Sequence, residues 1–396
     1  MKRYTLPKGF LAGAVHCGIK RKRKDLSLFY SEVPCKIAAI FTKNVVKAAP
    51  VILAIKQLKK TDSIRAVVVN SGNANCMTGK RGLNDAKKMA RHMAKLLKVS
   101  ENEVLVSSTG VIGRFMPMKS VIKGLATLSK EFSADGLLDA ANGIITTDRF
   151  CKISARSFEI GRKMVTITGV AKGAGMIQPD MATMLCYILT DADVEKKSLK
   201  KALVSSSEDS FNAITVDGDM STNDTVMLLA NGEAGNNPIK EGTEAFKVFQ
   251  KNLDEVSRDL AKMIVEDGEG AVKFMEVYVN GAKTKNDASK AALATANSLL
   301  VKCAVLGGDP NWGRIGSSIG SSGIDFDPDK MEIKLDGVVF FKKGGAVPFP
   351  KQKALSVFKG KKVKIEVDLH SGKNSAIVYS CDISGKYIKL NSDYTS

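Results

Sequence analysis

Three features of the 396-residue chain point to a mixed α/β fold. Some long segments repeat apolar residues at helical spacing, and others alternate apolar and polar residues strictly. The two kinds interleave without a regular strand–helix period, which argues against a doubly wound parallel sheet. The length suggests two or three packed units. Hydrophobic content of 44% and charged content of 26% exclude a disordered, collagen-like or membrane-bundle chain. No apolar run approaches the roughly 18 residues of a spanning helix. The basic start lacks a following apolar stretch, so no secretory signal is expected.

The elements follow in order. Ala66 to Val69 is a β-branched run ending at Asn70-Ser71-Gly72-Asn73, which reads as a strand and a turn. Leu83, Ala86, Met89, Ala90, Met93, Leu96 and Leu97 make one apolar helix face, with Lys87, Lys88, Arg91, Lys95 and Lys98 opposite. A helix is expected over Ser198 to Ser210. Phe246, Phe249, Leu253, Val256, Leu260 and Ile264 predict another. Val363 to Leu369 alternates with charged residues, and Ala376 to Cys381 follows after Ser371-Gly372-Lys373-Asn374. That pair predicts an antiparallel hairpin.

The 60 Lys+Arg and 41 Asp+Glu leave a net charge of +19, so anionic partners come into view. The excess is one-sided: residues 1–182 carry +20 and residues 183–396 carry −1. One Trp, 6% aromatic residues and no binding module weigh against a nucleic-acid or polyanion binder. The run Lys20-Arg21-Lys22-Arg23-Lys24 reads as a solvated loop. Seven scattered cysteines without a CxxC pair fit reduced, mostly buried thiols in a cytoplasm. Three scattered histidines give no metal spacing, and no metal is expected.

Six segments rich in Gly, Asn, Ser and Thr lie between apolar runs: 70–79, 107–113, 172–183, 212–224, 266–273 and 307–314. Each alone is a plausible turn, but together they are dense in groups that hold ligands. No phosphate-loop or dinucleotide fingerprint is present. Ser108-Thr109-Gly110 could present backbone amides to an oxyanion, or simply end a strand. Thr183 precedes the apolar run Leu185–Leu189, where a lone Thr usually belongs to the strand. It becomes a nucleophile with its own base only if the 182–183 bond is cut, because its α-amine then titrates near neutrality.

At these segments the chain resembles the ArgJ-type glutamate N-acetyltransferases, or ornithine acetyltransferases, of arginine biosynthesis. The matching stretches are KGAGMIQPDMATMLCYILTD (172–191), NAITVDGDMSTNDT (212–225), DGEGAVKF (267–274), residues 70–79, 107–113 and 146–148, DPNWGRI (309–315) and the tail 387–396. They keep the family's order over nearly the whole chain. The departures are the run 20–24, Ala174, Gln178, and Arg149-Phe150-Cys151 at the pocket's edge.

The resemblance implies a layered, mixed-sheet fold of the DmpA/ArgJ kind and a precursor that cuts itself between Ala182 and Thr183. The α chain would be 1–182 and the β chain 183–396, with about 280–396 forming a second lobe. The two would pair as a heterotetramer in the cytoplasm. Thr183 would be the nucleophile, and Thr109 and Gly110 the oxyanion-stabilising pair. Thr147, Lys172, Thr183, Glu269, Asn391 and Ser396 would contact substrate. Acetyl would move from N-acetylornithine to glutamate, with no resident cofactor. Acetyl-CoA is expected as a second donor, although no motif separates family members that use it from those that do not. The remaining alternatives are an N-terminal-nucleophile amidase or aminopeptidase and a basic nucleic-acid binder. Neither nucleic acid nor membrane is expected as a partner.

Overall fold

The structure, a computed structural model, describes residues 4–178, 184–348 and 356–393. Its first elements are β1 (Phe10–Val15), β2 (Leu26–Phe41), α1 (Ala49–Gln57), β3 (Ser63–Asn73) and α2 (Gly79–Leu97). Then come β4 (Val104–Val111), α3 (Met118–Leu128), α4 (Leu137–Ile144), β5 (Lys152–Ile160), β6 (Lys163–Lys172) and β7 (Leu185–Thr190). After these lie α5 (Lys196–Glu208), β8 (Thr225–Ala230), α6 (Glu244–Glu266), β9 (Phe274–Ala282), α7 (Lys285–Asn297), α8 (Leu299–Gly307) and α9 (Trp312–Gly320). The remaining elements are β10 (Glu332–Leu335), β11 (Val338–Lys342), β12 (Gly345–Ala346), β13 (Lys362–Asp368), β14 (Asn374–Cys381) and α10 (Gly385–Asp393).

The amphipathic segments fold as their spacing requires. Helix α2 buries Ala86, Met89, Ala90 and Met93 and turns its lysines outward. It stops at Lys98, whose φ of 55° breaks the helical run. Helix α6 starts where the Thr243 hydroxyl accepts the Phe246 N–H at 3.2 Å, capping an otherwise unpaired donor. Helix α5 covers most of the expected 198–210 segment. The turn signal at 70–73 does not end its strand: β3 runs on to Asn73, and Gly72 takes φ +101° at a register shift against β4.

Among the described residues there are two sheets. The larger runs β4-β3-β2-β8-β7-β6-β5, with β1 also paired to β2. Pairs β3/β4 and β7/β8 are parallel and the others antiparallel. Residue parity sorts the two faces. Cys186, Ile188, Val226 and Leu228 join the core under α5 and α6. Leu185, Tyr187, Leu189, Met227 and Leu229 face the opposite layer with α4. Ala66 and Val68 meet α2 and α3 in a further core. The layers are therefore helix, sheet and a second apolar layer.

The smaller sheet runs β12-β11-β10-β13-β9-β14 and packs on α7, α8 and α9. Here the expected hairpin is corrected. Strands β13 and β14 exist, but β9 lies between them, parallel to β13 and antiparallel to β14. The connecting turn crosses the end of β9, where the Ser371 N–H donates to the Gly281 carbonyl at 2.7 Å. A Cβ on Gly372 would come within 2.2 Å of the Ala282 carbonyl oxygen, so the crossing needs glycine there.

The basic run is also more structured than a solvated loop. Arg21, Lys22 and Arg23 are exposed, but the amides of Cys17, Gly18, Ile19 and Lys20 all donate to the buried Asp25 carboxylate. Lys20 Nζ reaches the Ile145 carbonyl at 2.9 Å. The described cysteines form no disulfide, and four of the seven are buried. No single described helix is long and apolar enough to cross a membrane.

Candidate active site

The site lies at one edge of the large sheet. The carboxyl ends of β3, β4 and β6 meet the amino ends of β7 and β8 there. A cavity of about 160 Å³ opens at this edge. Of the residues singled out by the resemblance, Thr109, Gly110, Thr147, Lys172, Glu269 and Asn391 all line it. Thr146 lines it as well. Ala182, Thr183 and Ser396 lie outside the described residues. Met184, the residue after Thr183, is buried, and its N–H donates to Asp224 Oδ1 at 3.1 Å.

Backbone conformation fixes the β4 end. Gly110 has φ +129°, and a Cβ there would sit 2.4 Å from the Gly72 carbonyl carbon and 2.6 Å from the Asn73 nitrogen. Only glycine permits this approach of the two strands. The Asn223 amide ties the lip together, donating to the carbonyls of Ala74 and Ser108 at 2.7 and 2.8 Å. Its own oxygen accepts from the Thr222 hydroxyl.

Lys172, only 3% exposed, ends β6 and donates to Thr109 Oγ1 at 3.3 Å. Burial lowers its pKa, Asp148 opposes that shift, and Lys152 adds to it. Asp148 is the counter-charge. Burial alone would raise its carboxyl, but Lys172 and Lys152 outweigh burial and hold it well below the usual carboxylate range. It accepts from the amides of Thr146 and Gly173 and so orders the 146–148 turn that carries Thr147. Lys152 sits fully buried between Asp148 and Asp267, at 2.7 and 2.6 Å. Asp267 also receives the Arg149 side chain at 2.8 Å. Arg149 thus clamps the start of the turn that holds Glu269.

The opposite wall is acidic. Glu269 donates its backbone N–H to the Ala174 carbonyl and accepts the Asn391 amide on Oε2 at 2.9 Å. A Cβ on Gly175 would lie 2.5 Å from that carboxylate, so any side chain there would displace it. Helix α10 brings Asn391 to the cavity. It is anchored by Tyr387, whose hydroxyl donates to Asp217 at 3.2 Å.

Several functional candidates escaped the sequence reading. Lys152 looks like a surface charge in the sequence, and Asp148, Asn223, Asp224 and Asp267 stand there only as members of longer polar stretches. Asp224 is fully buried, and Oδ2 has no hydrogen-bond partner among the described residues. Burial raises its pKa well above the usual range, despite the Met184 N–H and Lys172. It stands at the amino end of β8, holding the first described residue after Thr183. The sequence signal was an Asp directly before an apolar strand run, too common to single out.

The chemistry available is a cation for a carboxylate at Lys172, an anion for an ammonium at Glu269, and a close-packed Thr109–Gly110 strand end between them. The buried cluster beneath gives a stability prediction. Lys152→Met leaves Asp148 and Asp267 without the cation between them and should cost about 3–5 kcal/mol. Urea unfolding would show this as a lowered midpoint; an unchanged midpoint would remove the cluster from the account.

Comparison with known proteins identifies the chain's family. The ArgJ family model matches residues 11–396. A protein of Caldanaerobacter subterraneus named arginine biosynthesis bifunctional protein ArgJ is 49% identical over 393 residues, 98% of this chain and 97% of its own. A glutamate N-acetyltransferase of Methanocaldococcus jannaschii is 47% identical over 406 residues, 99% of this chain and 98% of its own. The crystal structure of an arginine biosynthesis bifunctional protein ArgJ from Bacillus halodurans superposes with a TM-score of 0.51 at 37% identity, covering 52% of this chain and 98% of that one. A family match over almost the full length, with relatives near half identical, establishes that the chain belongs to the ArgJ family.

Proposed function

We propose that the protein is a glutamate N-acetyltransferase of arginine biosynthesis, moving acetyl from N-acetylornithine to glutamate through an ester on Thr183. The carrying observation is the meeting of Thr109, Gly110, Thr147, Lys172, Glu269 and Asn391 in one cavity at the end of β6, beside the strand that Thr183 precedes. In this reading the chain cuts itself between Ala182 and Thr183. The α chain 1–182 and β chain 183–396 stay together because β6 and β7 are hydrogen-bonded neighbours in one sheet. Pairs of such αβ units form a heterotetramer in the cytoplasm.

The freed α-amine of Thr183 takes the proton of its own hydroxyl as Oγ attacks the acetyl carbon. Thr109 and Gly110 stabilise the resulting oxyanion. The C–N bond then breaks, the ammonium returns its proton to the departing amine, and ornithine leaves an acetyl ester on Thr183. Glutamate's amine attacks that ester by the same steps in reverse. Lys172 holds the substrate carboxylate, while Glu269 and Asn391 receive the polar end opposite. Thr147 and Ser396 complete the substrate contacts. Acetyl-CoA serves as a second donor to the same threonine.

Two outcomes test this. Expressed wild-type chain should resolve into two polypeptides on a denaturing gel, while Thr183→Ala stays one polypeptide and transfers no acetyl. Fully active protein that remains one chain would contradict the reading. The second outcome is pH dependence. Because burial lowers the Lys172 pKa, its charge is lost as pH rises at a lower pH than for a solvated lysine. KM for glutamate should therefore climb on the alkaline side, and Lys172→Met should raise KM roughly 10- to 100-fold and abolish that limb.

A further inference from the structure

A second, larger cavity of about 640 Å³ lies between α2 and the first turn of α3. Arg81 and Lys88 of α2 and Lys119 of α3 line it. All three are exposed, and Arg81 and Lys88 lie close enough to Asp85 to oppose the burial that raises its pKa. Helix α3 adds its amino end, with no side-chain cap and no acidic residue in the first turn. One group is out of place in a simple anion site. Asp85 lines the same groove, is 4% exposed, and its Oδ2 has no hydrogen-bond partner. A ligand that satisfies this site carries both phosphates and an N–H donor. At the groove's rim Phe115 is 53% exposed, and the Arg81 guanidinium lies 4.0 Å over its ring. That surface suits a flat heteroaromatic base.

The groove adjoins the acetyl-transfer cavity through a short, fixed segment. Ile112 lines one and Met116 the other. Four residues of extended chain span at most about 14 Å. The segment is held down by Asn73, whose amide donates to the carbonyls of Arg114 and Phe115 at 3.2 and 3.3 Å. The Gly113 N–H also donates to the Cys76 carbonyl at 3.0 Å. An extended pantetheine arm covers that separation.

We propose that the α2–α3 groove binds the phosphorylated adenosine end of acetyl-CoA, with Lys88, Lys119 and the α3 amino end on the phosphates and Asp85 on the adenine amino group. The proposal rests on the acetyl-CoA use put forward above. It places the thioester end of the donor at the Thr109–Gly110 cavity, while N-acetylornithine needs no contact with the groove.

The test uses the full-length protein, with adenosine 3′,5′-bisphosphate as the calorimetric probe and two transfer assays. The bisphosphate should bind wild type, and inorganic phosphate should compete poorly because it has no base to lie against Phe115 and reach Asp85. The double variant Lys88→Glu/Lys119→Glu should bind the probe at least about 10-fold more weakly and raise KM for acetyl-CoA by a similar factor. Its transfer from N-acetylornithine to glutamate should stay unchanged, which also reports an intact fold. No binding of the bisphosphate to wild type, equal binding by the variant, or equal competition by inorganic phosphate would each overturn the proposal. Wild type that transfers from N-acetylornithine yet neither uses acetyl-CoA nor binds the probe overturns the groove and leaves the acetyltransferase reading standing. Probe binding by a protein inactive in both assays keeps the groove as a nucleotide site and removes that reading.

Discussion

The buried run of alternating charges from Lys172 through Asp148 and Lys152 to Asp267 is the constraint on which the site depends. Each member is almost fully removed from water, so none is tolerable without its neighbours. Together they join three pieces of chain that are far apart in sequence. Asp148 fixes the 146–148 turn, Lys172 closes β6, and Asp267 begins the turn that ends in Glu269. The cavity's cationic and anionic walls are thus set at their separation by one electrostatic chain beneath them. The same chain holds the Asp148 pKa down and opposes the burial that lowers the Lys172 pKa.

The sheet topology makes the proposed self-cleavage compatible with a stable fold. Strands β6 and β7 pair over six residues, and β7 also pairs with β8 over six. Cutting between β6 and β7 would leave every one of those hydrogen bonds in place. The one-sided charge of the sequence has a place in this arrangement. The basic excess of residues 1–182 is carried partly on the outer face of α2, part of which lines the α2–α3 groove rather than the acetyl-transfer cavity.

The elements visible in the sequence were those whose cause is local. Helices α2 and α6 declare themselves because their apolar spacing is set by one face packed on one layer. The strand alternation of 363–369 was equally plain, but its partner was not. Strand β9 lies some 90 residues upstream and inserts between β13 and β14, and nothing in a short window reveals that. The site divides in the same way. Gly- and Ser/Thr-rich turns marked the segments that hold Thr109, Gly110, Lys172 and Glu269, and the family resemblance gave these residues roles and added Thr147 and Asn391. Asp148, Lys152, Asp267 and Asp224 stayed hidden because a buried charge and a solvated one are spelled alike. Only the three-dimensional partner distinguishes them.

The central claim is that the acetyl group passes through an ester on the residue that begins β7's approach. Purified protein incubated with N-acetylornithine alone, then acid-quenched and sequenced by mass spectrometry, tests it most directly. One acetyl group should appear on the 183–396 polypeptide, localised to Thr183 and discharged on adding glutamate. An unmodified Thr183 in protein that transfers acetyl at full rate would contradict it.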